Sequence, residues 1–367
     1  MVEPWRLWLT AAARQEAEPP EAVGPVDWNL FLAKAEQHQM SAFCYQHRRA
    51  QGRPAAMPAS VWEALRFEWL HHHMRNLKLF QELQEVHAAL DSAGLEHLFA
   101  KGPWLAFRAW PASGARPVGD IDLVVHEHDA AAVWLVLRDL GYTAESPCPA
   151  DGAEALAFAH YRRQYRFFAT GRRPLELHFR LVNMGPPSKG EPWLWQGRRL
   201  ATFEGGVLPV PSPTCMLFHL LLHANQHGYA VLRLFLDIRF HLDHAGAEVD
   251  NDLFQRLMRR YHLTCSFHFT LHLTRHLTAL TLPETLTLPR PNFLQRWRFA
   301  LLWSPQRAAD LALPRTWERF EAPKLYLAEM ATPLGALTYA RGVARAAGGW
   351  SALLRQVLGS SAGEVRP

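Results

Sequence analysis

Apolar positions organise the chain before any other feature does. Leu79, Leu83, Val86 and Leu90 recur at i, i+4, i+7 and i+11, one face of a helix that begins near Pro58 and stops at Gly94. A break at Gln51-Gly52-Arg53-Pro54 separates it from an earlier helix over 28–48. After Gly94 the texture changes. Residues 95–100 read as a short strand, Lys101-Gly102-Pro103 as a turn into a helical stretch over 104–110, and 111–117 as a loop. Residues 118–125 alternate β-branched and acidic side chains and read as a second strand, followed by an amphipathic helix over 129–140 closed by Gly141. Two more strands are expected over 161–169 and 175–181, around the turn Thr170-Gly171-Arg172-Arg173-Pro174. Helical spacing returns over 214–245 and 252–280, and the proline-broken segment 283–291 precedes a last helical region. The order predicts an α/β unit over 95–210 between a helical N-terminal region, 1–94, and a helical C-terminal domain, 211–367.

Composition narrows the class. Of 367 residues, 49% are hydrophobic and 20% charged, which excludes a disordered chain, a collagen-like fibre and a disulfide-stapled miniprotein. Net charge is +5, from 39 basic and 34 acidic residues, and only five of the basic residues are lysines, leaving 34 arginines. Arginine suits planar, bidentate contacts to phosphates and carboxylates, so an anionic ligand is allowed. No block of like charge suggests a nucleic-acid-binding tail. The four cysteines are scattered with no CxxC pair, which argues for neither zinc nor redox chemistry and suits a reducing, cytoplasmic setting. No apolar run approaches the ~20 residues that span a bilayer, and residues 1–20 read as neither signal nor transit peptide.

The sharpest chemistry lies in Gly119-Asp120-Ile121-Asp122-Leu123-Val124-Val125. On a strand, side chains at i and i+2 share a face, so Asp120 and Asp122 would point together while Ile121 and Leu123 enter the core. Two neighbouring carboxylates repel, and a divalent cation is the natural compensation. Magnesium takes oxygen ligands and pairs one or two carboxylates with substrate phosphates. Leu175-Glu176-Leu177-His178 offers a third acid, Glu176, with His178 on the same face. The alternative is a turn acid beside an arginine-bound aspartate.

Phe99-Ala100-Lys101-Gly102, Arg116, Gly119 to Val125, Leu140-Gly141-Tyr142 and Leu175 to His178 together resemble the uncharacterised nucleotidyltransferase family of the DNA polymerase beta-like nucleotidyltransferase superfamily. The resemblance is strongest over residues 75–245. It implies an α+β fold with a small mixed sheet and packed helices. It also implies an NTP held at the turn around Gly102, magnesium or manganese on Asp120, Asp122 and Glu176, and Glu176 as a helper of the acceptor hydroxyl. Lys101, Arg116 and His178 are the expected nucleotide-binding residues beside Gly102, since such chemistry is mostly positioning and charge neutralisation. The alternatives for Lys101 and Arg116 are a surface ion pair and a solvated loop. The sequence departs from the superfamily turn at Pro103, which removes a serine contact to phosphate and leaves open an idle nucleotide-binding or interaction module of the same fold. The acceptor is expected to be a small molecule or peptide rather than nucleic acid.

Two histidine stripes, His219-His223-His227 and His268-His272-His276, fit single helix faces. Neither contains HExxH, and interhelix packing is their simplest role. By the same resemblance, His223, His227 and Asp237 are the candidates for an acceptor pocket. The tryptophans at 62, 69, 104, 110 and 134 read as core, and the arginines at 162, 163 and 166 as a solvated strand face.

Overall fold

A side-chain cap starts the helical layer: the Asp27 carboxylate accepts hydrogen bonds from the backbone N–H groups of Asn29 and Leu30, both at 3.0 Å. The structure, a computed structural model, describes residues 3–16, 24–145, 164–182 and 191–296, apart from 204, 228, 230, 262, 289–290 and 294–295. Its first elements are α1 (Pro4–Arg14), α2 (Trp28–Gln37), α3 (Ser41–Arg48) and α4 (Ala59–Ser92). The single helix expected over 28–48 is therefore two. Gln39 turns the chain at φ 56°, and Met40 N–H closes back on Ala35 O at 2.7 Å. The apolar pattern hides this break because Phe31, Ala35, Met40 and Phe43 are buried on both sides of it. In α4 the predicted face, Leu79, Leu83, Val86 and Leu90, is buried, and Gly94 at φ 68° lets Leu95 N–H reach Leu90 O at 3.0 Å.

The α+β core is a five-stranded mixed sheet of β1 (His97–Ala100), β2 (Ile121–Val125), β3 (Thr143–Ala144), β4 (Gln164–Phe168) and β5 (Leu175–His178), in the order β1-β2-β5-β4-β3. Only β2 and β5 run parallel. Between β1 and β2 the chain makes a short helix, α5 (Gly102–Trp104), that widens into a π-turn at Leu105–Ala109. Helix α6 (Ala130–Asp139) covers one sheet face, with Trp134 edge-on to Tyr165 and Phe167 at ring separations of 5.3 and 4.8 Å. Of the strand expected over 161–169, residues 161–163, including two of the three strand arginines, lie outside the described residues. A hairpin that the pattern does not announce follows α7 (Pro192–Trp195): β6 (Arg199–Phe203) pairs with β7 (Gly206–Val210).

The stretches over 214–245 and 252–280 each resolve into two helices: α8 (Pro213–Gln226), α9 (Arg233–Ala245), α10 (Asn251–Arg260) and α11 (Thr264–Thr278). Helix α9 is pinned to the π-turn segment. Trp104 Nε1–H donates to His241 Nδ1 at 3.0 Å, and His241 Nε2–H donates to Pro213 O at 2.9 Å. Both ring nitrogens are used by a neutral imidazole, and burial pushes the His241 pKa down to about 4. Trp69, Trp104 and Trp110 are buried, as expected of core residues, and Trp62 and Trp134 are half-buried.

The loop entering β2 is clamped to α4. Asn76 Nδ2 donates to Ser113 O and Arg116 O at 2.6 and 2.8 Å, and His73 Nδ1 lies 2.9 Å from Ser113 Oγ. A Cβ at Gly114 would stand 2.7 Å from Trp69 Cε2 and 2.8 Å from Trp69 O. Because one obstacle is helix backbone, Gly114→Ala is expected to destabilise the protein by about 1–3 kcal/mol, read as a shift in urea midpoint.

Candidate active site

Parallel pairing of β2 with β5 sets Asp122 opposite Glu176, with Ala100 and Arg166 continuing the row on β1 and β4. The next row holds Val124 and His178, so the acids and the imidazole share one face. Asp120 departs from the expected pattern. The strand begins at Ile121, whose N–H bonds Pro174 O at 2.9 Å, so Asp120 precedes the ladder instead of projecting from it. The cause is β1, which ends at Ala100 opposite Asp122, after which Lys101 turns the chain away.

Asp122 is buried, and its Oδ1 receives two donors, Lys101 Nζ at 2.9 Å and His178 Nε2 at 3.0 Å. Burial opposes its ionisation. The Lys101 ammonium and then the His178 imidazole outweigh burial and hold the carboxyl well below the usual range. Glu176 has Arg166 Nε at 2.9 Å from Oε1, Gln164 Nε2 at 3.4 Å from Oε2, and His178 Nε2 at 3.6 Å from the same oxygen. Arg166, exposed as expected of a solvated strand face, is also the partner of Glu176. Half-buried Asp120 has no hydrogen bond or ion pair among the described residues. Its pKa is raised by burial, then by Asp122 and Glu176, against the pull of Lys101 and Arg116.

An acid whose pKa rises on folding lowers stability above its folded pKa and not below its unfolded one. Asp120→Asn is therefore expected to raise the cation-free Tm at neutral pH, with the gain shrinking as pH falls toward 3.8, the unperturbed value. A scanning-fluorimetry series over pH checks this.

The turn carrying Lys101 is strained. Its φ of 43° and ψ of −86° are unfavourable for a residue with a Cβ. Gly102 shows no such conformation. It is required for close approach, because a Cβ there would meet Val118 Cγ1 at 2.9 Å.

Arg116 and Asp237 come together rather than lining a pocket separately. Arg116 Nε and Nη2 form a fork on Asp237 at 2.7 and 3.0 Å, Trp110 Nε1 adds a bond at 2.9 Å, and Arg233 Nη1 another at 2.7 Å. All of this is inside the protein. The stripe of α8 runs outward from the carboxylates: His219 is buried within electrostatic reach of Asp122, His223 is half-buried and His227 exposed. The rings of His223 and His227 are 4.3 Å apart. Burial, and then Lys101, His227 and His219, keep the His223 pKa well below its ordinary value. In the second stripe His272 and His276 face solvent.

The donor atoms that converge are those of Asp122, Glu176 and His178, all within 4.8 Å of one another. Asp120 stands beside them, an acid with no ion pair or hydrogen bond among the described residues. The carboxylate oxygens fit magnesium or manganese, whereas the imidazole nitrogen beside them suits a softer ion. The approach of His178 Nε2 to both acids is not evident from spacing alone, although its period-2 relation to Glu176 puts it on the right face. Cys44, Cys215 and Cys265 are buried and in no disulfide, with burial raising the pKa of the first to about 12 and of Cys215 to about 11. No described helix is long and apolar enough to cross a membrane.

Residues 24–279 match a family described as uncharacterised nucleotidyltransferase. No curated protein matches the sequence. Among solved structures, the antibiotic-resistance factor ANT(2'')-Ia in solution is similar at 14% identity and a TM-score of 0.37, covering 54% of this chain and 99% of that one. The crystal structure of ANT(2'')-Ia with adenylyl-2''-tobramycin is similar at 15% identity and a TM-score of 0.36, covering 49% and 97%.

Proposed function

The chain belongs to the uncharacterised nucleotidyltransferase family, and from that premise we propose that it moves a nucleoside monophosphate from an NTP to an acceptor hydroxyl or phosphate. The acceptor oxygen bonds to the α-phosphorus, the bond from that phosphorus to the β-phosphate oxygen breaks, and pyrophosphate leaves with its electron pair. The observation that carries the reading is the parallel register of Asp122 and Glu176, with Asp120 unpaired beside them.

Asp120, Asp122 and Glu176, joined by His178, would hold magnesium or manganese. The bound cation would neutralise the triphosphate and the charge that develops on the oxygens in flight. The remaining work belongs to the chain. Lys101 and Gly102 form the turn over which the triphosphate would lie, and the Lys101 ammonium, held by Asp122 at rest, would turn to the phosphate. Glu176, held by Arg166, serves as third ligand or takes the hydroxyl proton. Arg116 acts differently from its expected place on the nucleotide: tied to Asp237, it fixes the loop that delivers Asp120. His223 and His227 border the acceptor side. In this reading residues 95–210 are the catalytic unit and the helical regions 1–94 and 211–367 frame it.

Incubation of the protein with each α-labelled NTP, magnesium or manganese, and a set of hydroxyl acceptors tests the proposal. Label should appear on an acceptor with one pyrophosphate released per transfer. NTP binding without transfer to any acceptor would instead favour the idle module.

A further inference from the structure

Both cations expected at the triphosphate are engaged elsewhere at rest, Lys101 on Asp122 and Arg116 on Asp237. A different pair stands where α4 meets the turn that precedes β5. Arg173 immediately precedes Pro174, whose carbonyl accepts from Ile121 N–H, so it flanks Asp120 on the β5 side of β2, opposite the Lys101 turn on the β1 side. Its backbone N–H is fixed by Glu82 Oε2 of α4 at 3.0 Å. Its half-buried guanidinium has no hydrogen bond or ion pair among the described residues.

The same helix brings Arg75 to this place, two turns before Glu82. Between them Lys78 Nζ reaches Gly171 O at 2.6 Å, which fastens the turn carrying Arg173 to α4. The Arg75 guanidinium bonds His71 Nε2 at 3.2 Å and meets no carboxylate among the described residues. Burial and then Arg75 depress the Arg173 pKa in spite of Glu82 and Asp120. His72, in the same cluster, is driven to about 4 by burial, His71, Arg75 and Arg173. Two guanidinium groups within electrostatic reach of each other, neither closed by an ion pair among the described residues, suit an oxyanion, which each can grip with two parallel N–H groups.

We propose that Arg75 and Arg173 seat an anionic group of the acceptor, so that the acceptor is a hydroxyl compound bearing a phosphate or a carboxylate. The inference rests on the nucleotidyl-transfer reading above. In-line displacement puts the attacking and leaving oxygens on opposite sides of the phosphorus. With the triphosphate over the Lys101–Gly102 turn, the hydroxyl arrives from the flank that Arg173 occupies.

Calorimetric titration of the full chain, with and without saturating magnesium and a non-hydrolysable ATP analogue, separates the possibilities. The probes are glycerol 3-phosphate, glycerate and glycerol. At least one of the two acids should bind while glycerol does not, and the acid that binds identifies the anion. Arg173→Gln and Arg75→Gln should each weaken that acid by roughly 10-fold or more and leave the analogue unaffected. Arg75 is exposed, so its variant keeps the fold, and Arg173→Lys should restore part of the affinity. The proposal is overturned if neither acid binds better than glycerol, or if the variants weaken the analogue instead. Failure of the analogue to bind the unmodified protein sinks the nucleotidyl-transfer reading, while the acid titrations without it still judge the seat.

Discussion

Asp122→Asn is expected to reduce label transfer from an α-labelled NTP by roughly 1,000-fold or more, since charge neutralisation carries most of the catalysis of phosphoryl-type transfer. The substitution is nearly isosteric, and an amide oxygen still accepts from Lys101 and His178, which meet the same atom Oδ1 in the unmodified protein. The fold should therefore persist while the buried negative charge disappears. Single-turnover transfer measured beside Tm distinguishes a chemical loss from unfolding. Transfer at a near-normal rate would reduce Asp122 to a structural partner of Lys101. That outcome would also remove the ground for placing a cation at the β2–β5 row.

Asp237→Ala should have the largest effect on stability, lowering the free energy of unfolding by about 3–5 kcal/mol because it strands buried charge. Three groups lose their acceptor at once: Arg116, Arg233 and the Trp110 indole. Side-chain exposure of Asp237 is 2%, of Arg116 6% and of Arg233 12%, so water cannot replace the carboxylate. Burial already holds the Arg233 pKa down to about 10, despite the acid beside it. Urea unfolding of Asp237→Ala against Asp237→Asn, which keeps an acceptor oxygen, measures the effect. A change under 1 kcal/mol in the alanine variant would show that solvent reaches this network after all.

Much of the sheet is legible in the sequence because period-2 patterning survives where one buried face is apolar and the other carries the acids. Ile121, Leu123, Leu175 and Leu177 alternate with acids, and both segments are strands. Helix ends at Gly94 and Gly141 are legible for a similar reason, since left-handed backbone favours glycine. What escapes is set by partners distant in the chain. The start of β2 at Ile121 rather than Val118 depends on where β1 and the Pro174 turn run out. The pairing of Arg116 with Asp237 spans 121 residues and has no local signature. The break at Gln39 is masked because buried apolar residues continue on both sides of it. The β6–β7 hairpin turns at Gly205 and Gly206, whose positive φ values announce a turn only once its two short strands are known.

The backbone of Lys101 places that residue under two demands that no single amino acid meets. Glycine would relieve its unfavourable φ and ψ, yet only a long cationic side chain can reach Asp122. Variant libraries selected for thermal resistance should drift toward glycine at position 101, whereas libraries selected for turnover should retain lysine. Local frustration of this kind marks the turn as a compromise between folding and chemistry, and deep mutational scanning under the two selections would measure its terms separately.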